Sequence, residues 1–230
     1  MARRILIVGN SDGIGAAVTR ALLARGDEVI GISRSASPSV CKTIRHEVMN
    51  VIDPGYPELL TRLIGEAGPF DACIYCAGIG SNLDLADLSG EPQVFQVNLT
   101  AMVQTLELLA PAWLSQRRGH FIGLSSLADI LLNPDAPSYS ASKAGVSRYL
   151  VSMALRLRGT GVAVTNIRFG FVDTKMAKAP YRPMMMTAER AAQHVLDCLD
   201  TRPVQVSVPK TITLVVAIAR VLQAAKTWLT

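Results

Sequence analysis

Short apolar runs alternate with amphipathic stretches along most of the chain. Residues 5–8 form a continuous apolar run that ends at Gly9, which is typical of a buried strand in a parallel sheet. Residues 13–25 carry apolar side chains at helical spacing and stop at Gly26, so they predict a helix. The same patterns predict strands at 27–33, 43–49, 72–76, 119–124, 161–168 and 204–208, and helices at 56–66, 91–116, 136–158 and from a Thr187 cap to about 200.

This alternation of strand and helix predicts the fold class. It favours an α/β chain with a doubly wound parallel sheet of about seven strands and helices on both faces, in three α/β/α layers. No repeat, low-complexity segment or long linker divides the 230 residues, so we expect a single domain.

Composition narrows the classes of function. Half of the residues are hydrophobic and 18% are charged, which is globular composition. The net charge is +5, but the basic residues are scattered and only 5% of residues are aromatic. We therefore expect no nucleic-acid partner.

Four cysteines are too few for a disulfide scaffold. Cys73 and Cys76 spell CxxC at the end of an apolar strand, where we interpret them as core thiols, with no metal site. The apolar run near the N-terminus is too short for a signal peptide, and no stretch is long enough to span a membrane. A reducing, cytoplasmic location is the expectation.

A glycine-rich turn follows the first strand. Gly9, Gly13 and Gly15 lie between a buried strand and a helix, where a dinucleotide pyrophosphate needs a tight turn and a free helix N-terminus. A plain β–α turn is the alternative. The predicted phosphate-contacting residues of the turn are Gly9, Ser11, Asp12, Gly13, Ile14 and Gly15.

The end of the second strand indicates which dinucleotide binds. An acidic residue here would accept a hydrogen bond from the ribose of NAD, but this chain has Ser33 and Arg34. The guanidinium of Arg34 offers donors to a 2′-phosphate, so NADP(H) is favoured over NAD(H). A solvated loop arginine is the alternative.

Tyr139 and Lys143 lie four residues apart on a predicted helix and so share a face. A nearby ammonium favours the phenolate, so we expect Lys143 to lower the pKa of Tyr139. A tyrosine tuned in this way can exchange a proton with a carbonyl or alcohol oxygen. Ser126, at the end of a predicted strand, could hydrogen-bond the same oxygen. The Tyr–Lys pair alone is a common surface feature.

In order and spacing these residues resemble the short-chain dehydrogenase/reductase family, from Ile5 to about Val208. The resemblance implies a Rossmann-type fold and hydride transfer between NADP(H) and a carbonyl or alcohol. The end of the second strand is similar to NADPH-dependent carbonyl reductases. Matched catalytic positions are Asn98, which would hold a water of a proton relay, Ser126, which would orient the substrate, Tyr139, the acid/base, and Lys143, which would also bind the nicotinamide ribose.

The resemblance also implies cofactor contacts beyond the turn, and it has departures. Val8, Cys76 with Tyr75, Asn50 and Phe169 replace the residues usual in the family, which affects local stability and cofactor affinity. Thr174 would contact the carboxamide. The full set of further cofactor positions is Ser33, Arg34, Asn50, Val51, Ala77, Gly78, Tyr139, Lys143, Gly170, Val172 and Thr174.

Two segments bear on substrate and partners. Residues 175–186 contain four methionines, which suit either a hydrophobic substrate or ordinary packing. Residues 210–230 form an apolar predicted helix with a polar stripe. It can pack on its own domain, on another subunit or, less favoured, on a membrane surface. By resemblance a homodimer or homotetramer is expected.

Two other functions remain open. One is a dinucleotide-binding sensor or partner-binding subunit without turnover. The presence of Ser126, Tyr139 and Lys143 together argues against it, because a protein that catalyses no reaction has no chemical need for all three. The other is a lyase or epimerase, since a fold does not fix a function.

Overall fold

All seven predicted strands form one parallel sheet in the computed structural model, which describes residues 2–36, 44–176 and 184–211. The spatial order is β3-β2-β1-β4-β5-β6-β7. β1 pairs with β2 on one side and β4 on the other, which explains why its residues 5–8 are all apolar and fully buried. The strands are β1 (Arg4–Val8), β2 (Glu28–Ser33), β3 (Arg45–Val48), β4 (Ala72–Tyr75), β5 (Gly119–Ser126), β6 (Val162–Phe169) and β7 (Gln205–Val208).

Helices cover both faces of this sheet. They are α1 (Gly13–Ala24), α2 (Tyr56–Ala67), α3 (Glu91–Phe95), α4 (Ala101–Gln116), α5 (Pro137–Arg156) and α6 (Ala188–Thr201). Ile5 and Ile7 pack with α1 and α6, whereas Leu6 and Val8 pack with α2, α4 and α5. Alternate strand side chains thus build two apolar layers, and the predicted three-layer α/β/α fold is confirmed.

Two elements differ from the sequence pattern. The helix predicted over 91–116 contains a π-helical turn, Gln96–Thr100, between α3 and α4. The sequence pattern did not predict this turn, because a π-helical turn adds only one residue to the helix and leaves its stripe of apolar side chains almost unchanged. β5 runs two residues further than predicted, to Ser126, because its whole length pairs with β6. The predicted Thr187 cap of α6 is confirmed, since its side chain accepts from the Arg190 amide at 3.2 Å.

Parts of the chain lie outside the described residues. These are most of the predicted C-terminal helix 210–230, the middle of the methionine-containing segment 175–186, and Cys41. Across residues 2–36, 44–176 and 184–211, no helix combines the length and apolar character needed to cross a bilayer.

The carboxyl edge of the sheet carries the candidate site. Every strand is parallel to its neighbours, so all the strand ends meet at this edge. The strand order changes direction between β1 and β4, which opens a crevice where ligands bind in doubly wound sheets.

Candidate functional site

The turn between β1 and α1 excludes side chains. Gly9 has a φ of +89° and Gly13 a φ of +51°, in the left-handed region that favours glycine. A Cβ atom at Gly15 would collide with the Gly9 carbonyl oxygen, and one at Gly9 would lie 2.5 Å from the Ala77 amide nitrogen. The turn therefore consists of closely packed backbone, and α1 begins at the crevice.

Asp12 caps α1 and contacts the opposite wall of the crevice. Its Oδ1 accepts from the Gly13 amide at 2.8 Å, and its Oδ2 lies 2.7 Å from Nζ of Lys175. The bond with Lys175, followed by that with Gly13, holds the pKa of Asp12 below its ordinary value. A Cβ at Gly13 would lie 3.0 Å from Cγ2 of Thr174. The segment after β6 and the glycine turn thus face each other across an open cleft, which Ser11 also lines.

His46 of β3 connects the glycine turn to the end of β2. Its Nδ1 lies 3.1 Å from Nδ2 of Asn10, and its Nε2 lies 3.2 Å from Oγ of Ser33, which donates to the Ser35 carbonyl at 2.8 Å. A neutral ring with its proton on Nε2 satisfies all three contacts. Burial lowers the pKa of His46 and favours that neutral form. Arg34, between the two serines, is exposed.

Asn50 and Val51 follow β3 at the same edge. Val51 is buried in the apolar layer of α2, and the Asn50 Oδ1 accepts from the Ile52 amide at 3.4 Å. Ile14, in the first turn of α1, is half-buried against the other layer. Of these predicted contacts, only Asn50 presents a polar side chain near the edge.

Ser126, Tyr139 and Lys143 lie together where β5 meets α5. The Ser126 hydroxyl lies near enough to the Tyr139 phenol to oppose the rise in its pKa, and the Ser126 Oγ accepts from the Ala128 amide at 3.1 Å. Nζ of Lys143 donates to the Leu124 carbonyl at 2.9 Å and lies 5.9 Å from the centre of the Tyr139 ring. Two hydroxyls and one amine therefore converge on the crevice beside the glycine turn.

Burial dominates the ionisation of the tyrosine and the lysine. It raises the pKa of Tyr139, against the opposing effect of the nearby Ser126 hydroxyl. It lowers the pKa of Lys143 to about 8, against the opposing charge of Asp129. The expectation that Lys143 lowers the pKa of Tyr139 is wrong for this structure, because burying the phenol outweighs any attraction to an ammonium that is itself poorly solvated.

Asn98 lies in the π-helical turn and is 1% exposed. Its Oδ1 accepts from the Ile79 amide at 2.8 Å and its Nδ2 donates to the Ile79 carbonyl at 2.9 Å. Nδ2 also donates to Oγ of Ser142 at 3.0 Å, which donates to the Tyr139 carbonyl at 2.8 Å. Asn98 thus joins the loop after β4 to the first turns of α5. The water relay implied by the resemblance stays a prediction.

Tyr75 and Cys76 stand where the family usually has two asparagines. The Tyr75 hydroxyl donates to the Val97 carbonyl at 2.7 Å, so it braces β4 against the π-helical turn next to Asn98. Cys73 packs in the layer of α2 and α4, whereas Cys76 packs in the layer of α1 and α6. The two thiols of the CxxC spelling lie on opposite faces of the sheet and share no site.

The loop after β4 packs on the side chains of Asn98, Tyr139 and Lys143. A Cβ at Gly78 would lie 3.4 Å from Oδ1 of Asn98, 3.5 Å from Nζ of Lys143 and 3.8 Å from Cε of Met176. A Cβ at Gly80 would lie 2.5 Å from Cδ2 of Tyr139. Only bare backbone fits at Gly80, whereas a Cβ at Gly78 would make ordinary van der Waals contacts. Gly80 was missed by the sequence analysis although its Gly-Ile-Gly context after a strand signals a close approach.

The segment after β6 forms the remaining wall. The Gly170 amide donates to the Val208 carbonyl at 2.7 Å, and Val172 is buried and pairs with Met186. Phe169, which replaces a proline usual in the family, is 3% exposed in the layer of α1 and α6. This packing carries the chain to Thr174 beside the glycine turn.

The crevice fits a nicotinamide dinucleotide. Gly9, Gly13 and Gly15 bring backbone without side chains to the crevice, and α1 begins there, as a pyrophosphate site requires; the Gly13 amide is bonded to Asp12. Gly9 packs against the Ala77 backbone, and the next residue, Gly78, lies beside Lys143, so the glycine turn and the Tyr139–Lys143 face of α5 adjoin the same loop.

Buried polar residues behind the site were not among the predicted positions. Asp129 and Arg168 form an ion pair with an N–O distance of 2.6 Å, and Ser147 donates to the Asp129 carboxylate. One feature of the sequence does indicate this pair. Arg168 is a charged residue within an apolar buried strand, and such a residue requires a partner. Its partner lies 39 residues away in the sequence, and no local pattern identifies it.

Comparison with known proteins identifies the family. A family model described as short chain dehydrogenase matches residues 3–183. An uncharacterized oxidoreductase of Myxococcus xanthus is 30% identical over 199 residues, covering 81% of this chain and 79% of that protein. The 3-oxoacyl-[acyl-carrier-protein] reductase FabG of Vibrio cholerae is 30% identical over 183 residues, covering 76% and 75%.

Solved structures share the fold at low sequence identity. A short-chain dehydrogenase from Streptomyces avermitilis has a TM-score of 0.83 at 18% identity, covering 100% of this chain and 96% of that one. ElxO with NADP bound has a TM-score of 0.80 at 17% identity, covering 90% and 97%. The chain belongs to the short-chain dehydrogenase family of oxidoreductases, whose members bind a nicotinamide dinucleotide.

Proposed function

We propose that this chain is an NADP(H)-dependent oxidoreductase that transfers a hydride between the cofactor and a carbonyl or alcohol. The observation that carries the proposal is the grouping of the Ser126 and Tyr139 hydroxyls beside the buried Lys143, next to the glycine turn. Tyr139 is the general acid/base, and NADP(H) use favours reduction as the direction.

Each side chain has a role that follows from its contacts. A bound nicotinamide would supply or accept the hydride. The Ser126 hydroxyl donates to the substrate oxygen, and the Tyr139 hydroxyl gives that oxygen its proton as the alcohol forms. The raised pKa of Tyr139 keeps this proton in place until the oxygen becomes basic. The Lys143 ammonium then stabilises the phenolate, and the same side chain is the candidate for binding the nicotinamide ribose. Asn98 holds the neighbouring loop through Ile79.

The preference for NADP(H) rests on Arg34. Its exposed guanidinium lies between Ser33 and Ser35, and Ser33 is held by His46. A loop ordered in this way presents the guanidinium for a 2′-phosphate, and an acidic group that would bind a ribose hydroxyl is missing from residues 33–36.

The substrate is a small carbonyl or alcohol compound. Because several relatives are 3-oxoacyl-[acyl-carrier-protein] reductases, 3-oxoacyl thioesters belong in a test panel with simple ketones and aldehydes. A cytoplasmic homo-oligomer is the form in which we expect the enzyme to act.

The first experiment titrates the purified protein with NADPH and NADH by fluorescence and then applies the panel with the tighter cofactor. Tighter NADPH binding with NADPH oxidation on a carbonyl supports the proposal. Binding without turnover on any panel member would favour a sensor. Tyr139→Phe should abolish turnover and leave the cofactor Kd unchanged, whereas Tyr149→Phe on the same helix should change neither.

A further inference from the structure

A buried ion pair lies directly behind the proposed catalytic residues. The Oδ1 of Asp129 accepts from Nε of Arg168 at 3.1 Å and from its Nη2 at 2.6 Å. The side chains are only 4% and 11% exposed. Asp129 ends the short turn that follows β5, three residues after Ser126, and Arg168 is the penultimate residue of β6.

A chain of hydroxyl groups ends on the same carboxylate. Oγ of Ser147 donates to the second carboxylate oxygen of Asp129 and accepts from Nδ2 of Asn166 at 3.1 Å. Ser125 and Ser147 have their Oγ atoms 2.6 Å apart. Each hydroxyl has one proton, so Ser125 donates to Ser147 and Ser147 donates to Asp129. Both carboxylate oxygens of Asp129 are therefore bonded to donors.

The network joins the elements that carry the catalytic groups. Ser147 lies one helical turn beyond Lys143 on α5, and Ser125 directly precedes Ser126 on β5. Oγ of Ser125 also lies 3.2 Å from the Lys143 carbonyl. Asp129 and Ser126 belong to one turn, where Ser126 accepts from an amide. The carboxylate is thus the point at which the end of β5, the middle of α5 and the end of β6 are fixed together.

A buried ion pair needs an explanation other than stability. Desolvating both charges offsets much of their attraction, and well-packed apolar residues in their place are often neutral or stabilising. The pair therefore points to a requirement for position or charge at this place in the fold.

We propose that Asp129 is a positioning residue for the reaction, holding the Ser126 turn against the Lys143–Ser147 segment of α5 and placing a negative charge behind Lys143. The inference rests on the proposed function of Ser126, Tyr139 and Lys143. Within the described part of the chain, the titratable groups near Lys143 are Cys76, directly after β4, Asp129, and Tyr139 on its own helix. Of these, Asp129 is the carboxylate, and its charge opposes the lowering of the Lys143 pKa by burial.

Three variants separate position, charge and folding. Asp129→Asn removes the charge, Arg168→Met keeps it, and the double variant Asp129→Leu with Arg168→Met replaces the pair by apolar side chains that should still fold. Glu66→Gln, which breaks a surface pair with Arg45, is the matched control. Each variant is assayed for cofactor Kd, kcat and the pH dependence of kcat/KM.

We expect kcat to fall about tenfold or more in both variants that lack Asp129, with the cofactor Kd within about twofold of the original. The alkaline limb of kcat/KM should move to lower pH in those two variants and not in Arg168→Met or Glu66→Gln. A purely structural pair would instead give two equally impaired single variants and full recovery in the double variant. That result would overturn the inference.

An inactive starting protein would refute the proposed function but would still leave this inference testable. The pKa of Lys143 is then read from its 13Cε resonance in labelled protein, assigned by its loss in Lys143→Met. A lower pKa in Asp129→Asn supports the inference, and an unchanged pKa overturns it.

Discussion

Replacing Lys143 by methionine is expected to stabilise the fold at pH 7 while abolishing turnover. The side chain is 6% exposed, and burial lowers its pKa from 10.5 to about 8. At about 1.4 kcal/mol for each pH unit, holding the proton costs the folded state roughly 3 kcal/mol. The variant also loses the hydrogen bond to the Leu124 carbonyl, which destabilises it by about 1 kcal/mol. The net gain for the variant is therefore roughly 2 kcal/mol.

The pH dependence tests the cause of this gain. Between pH 8 and 10.5 the unfolded chain keeps the Lys143 proton and the folded chain has lost it, so stability rises with pH across this window. Below pH 8 the penalty is constant, and it is gone above 10.5. Urea unfolding of wild type and Lys143→Met should thus show their largest difference at pH 7 and a smaller one at pH 9.5. Lys210→Met, at an exposed lysine, is the control. A variant less stable than wild type at pH 7, or a difference that ignores pH, would refute the reasoning.

Three further predictions concern the cofactor crevice and the catalytic loop. Arg34→Asp should weaken the binding of NADPH relative to that of NADH, and an unchanged ratio of the two Kd values would contradict the role proposed for Arg34. Gly80→Ala should lower kcat about tenfold or more with cofactor binding kept, because its Cβ would lie 2.5 Å from the Tyr139 ring, whereas Gly65→Ala, which has open space, should leave kcat unchanged. His46→Ala should weaken NADPH binding about five- to tenfold by removing the hydrogen bonds that order the loop carrying Arg34; equal binding in a titration would contradict this.

Local patterns predicted the scaffold well, because a strand that is buried on both faces is apolar at every position. Residues 5–8 of β1 are apolar at every position since strands flank it on both sides and helices cover it. The glycine turn was also recognisable from the sequence, because glycine adopts the positive φ of Gly9 and Gly13 at the lowest cost.

Features that depend on distant partners could not be predicted in this way. His46 reads as an ordinary strand residue until β3 brings it beside Asn10 of the glycine turn, 36 residues away in the sequence. The direction of the Tyr139 pKa was also misjudged, because helical spacing identifies Lys143 as a neighbour but says nothing about how deeply the phenol is buried.

The two edges of the sheet use charge differently. At the amino edge Asp27 pairs with Arg3 and Arg25, whose side chains are 29% exposed and keep part of their hydration. At the carboxyl edge Lys143 and Asp129 are almost entirely buried, where charge costs the most. Burial of the apolar layers on both faces of the sheet offsets the free energy that these buried charges cost. A chain selected for stability alone would replace these charges with apolar side chains, so their place behind Ser126 and Tyr139 is best explained by the chemistry of that edge.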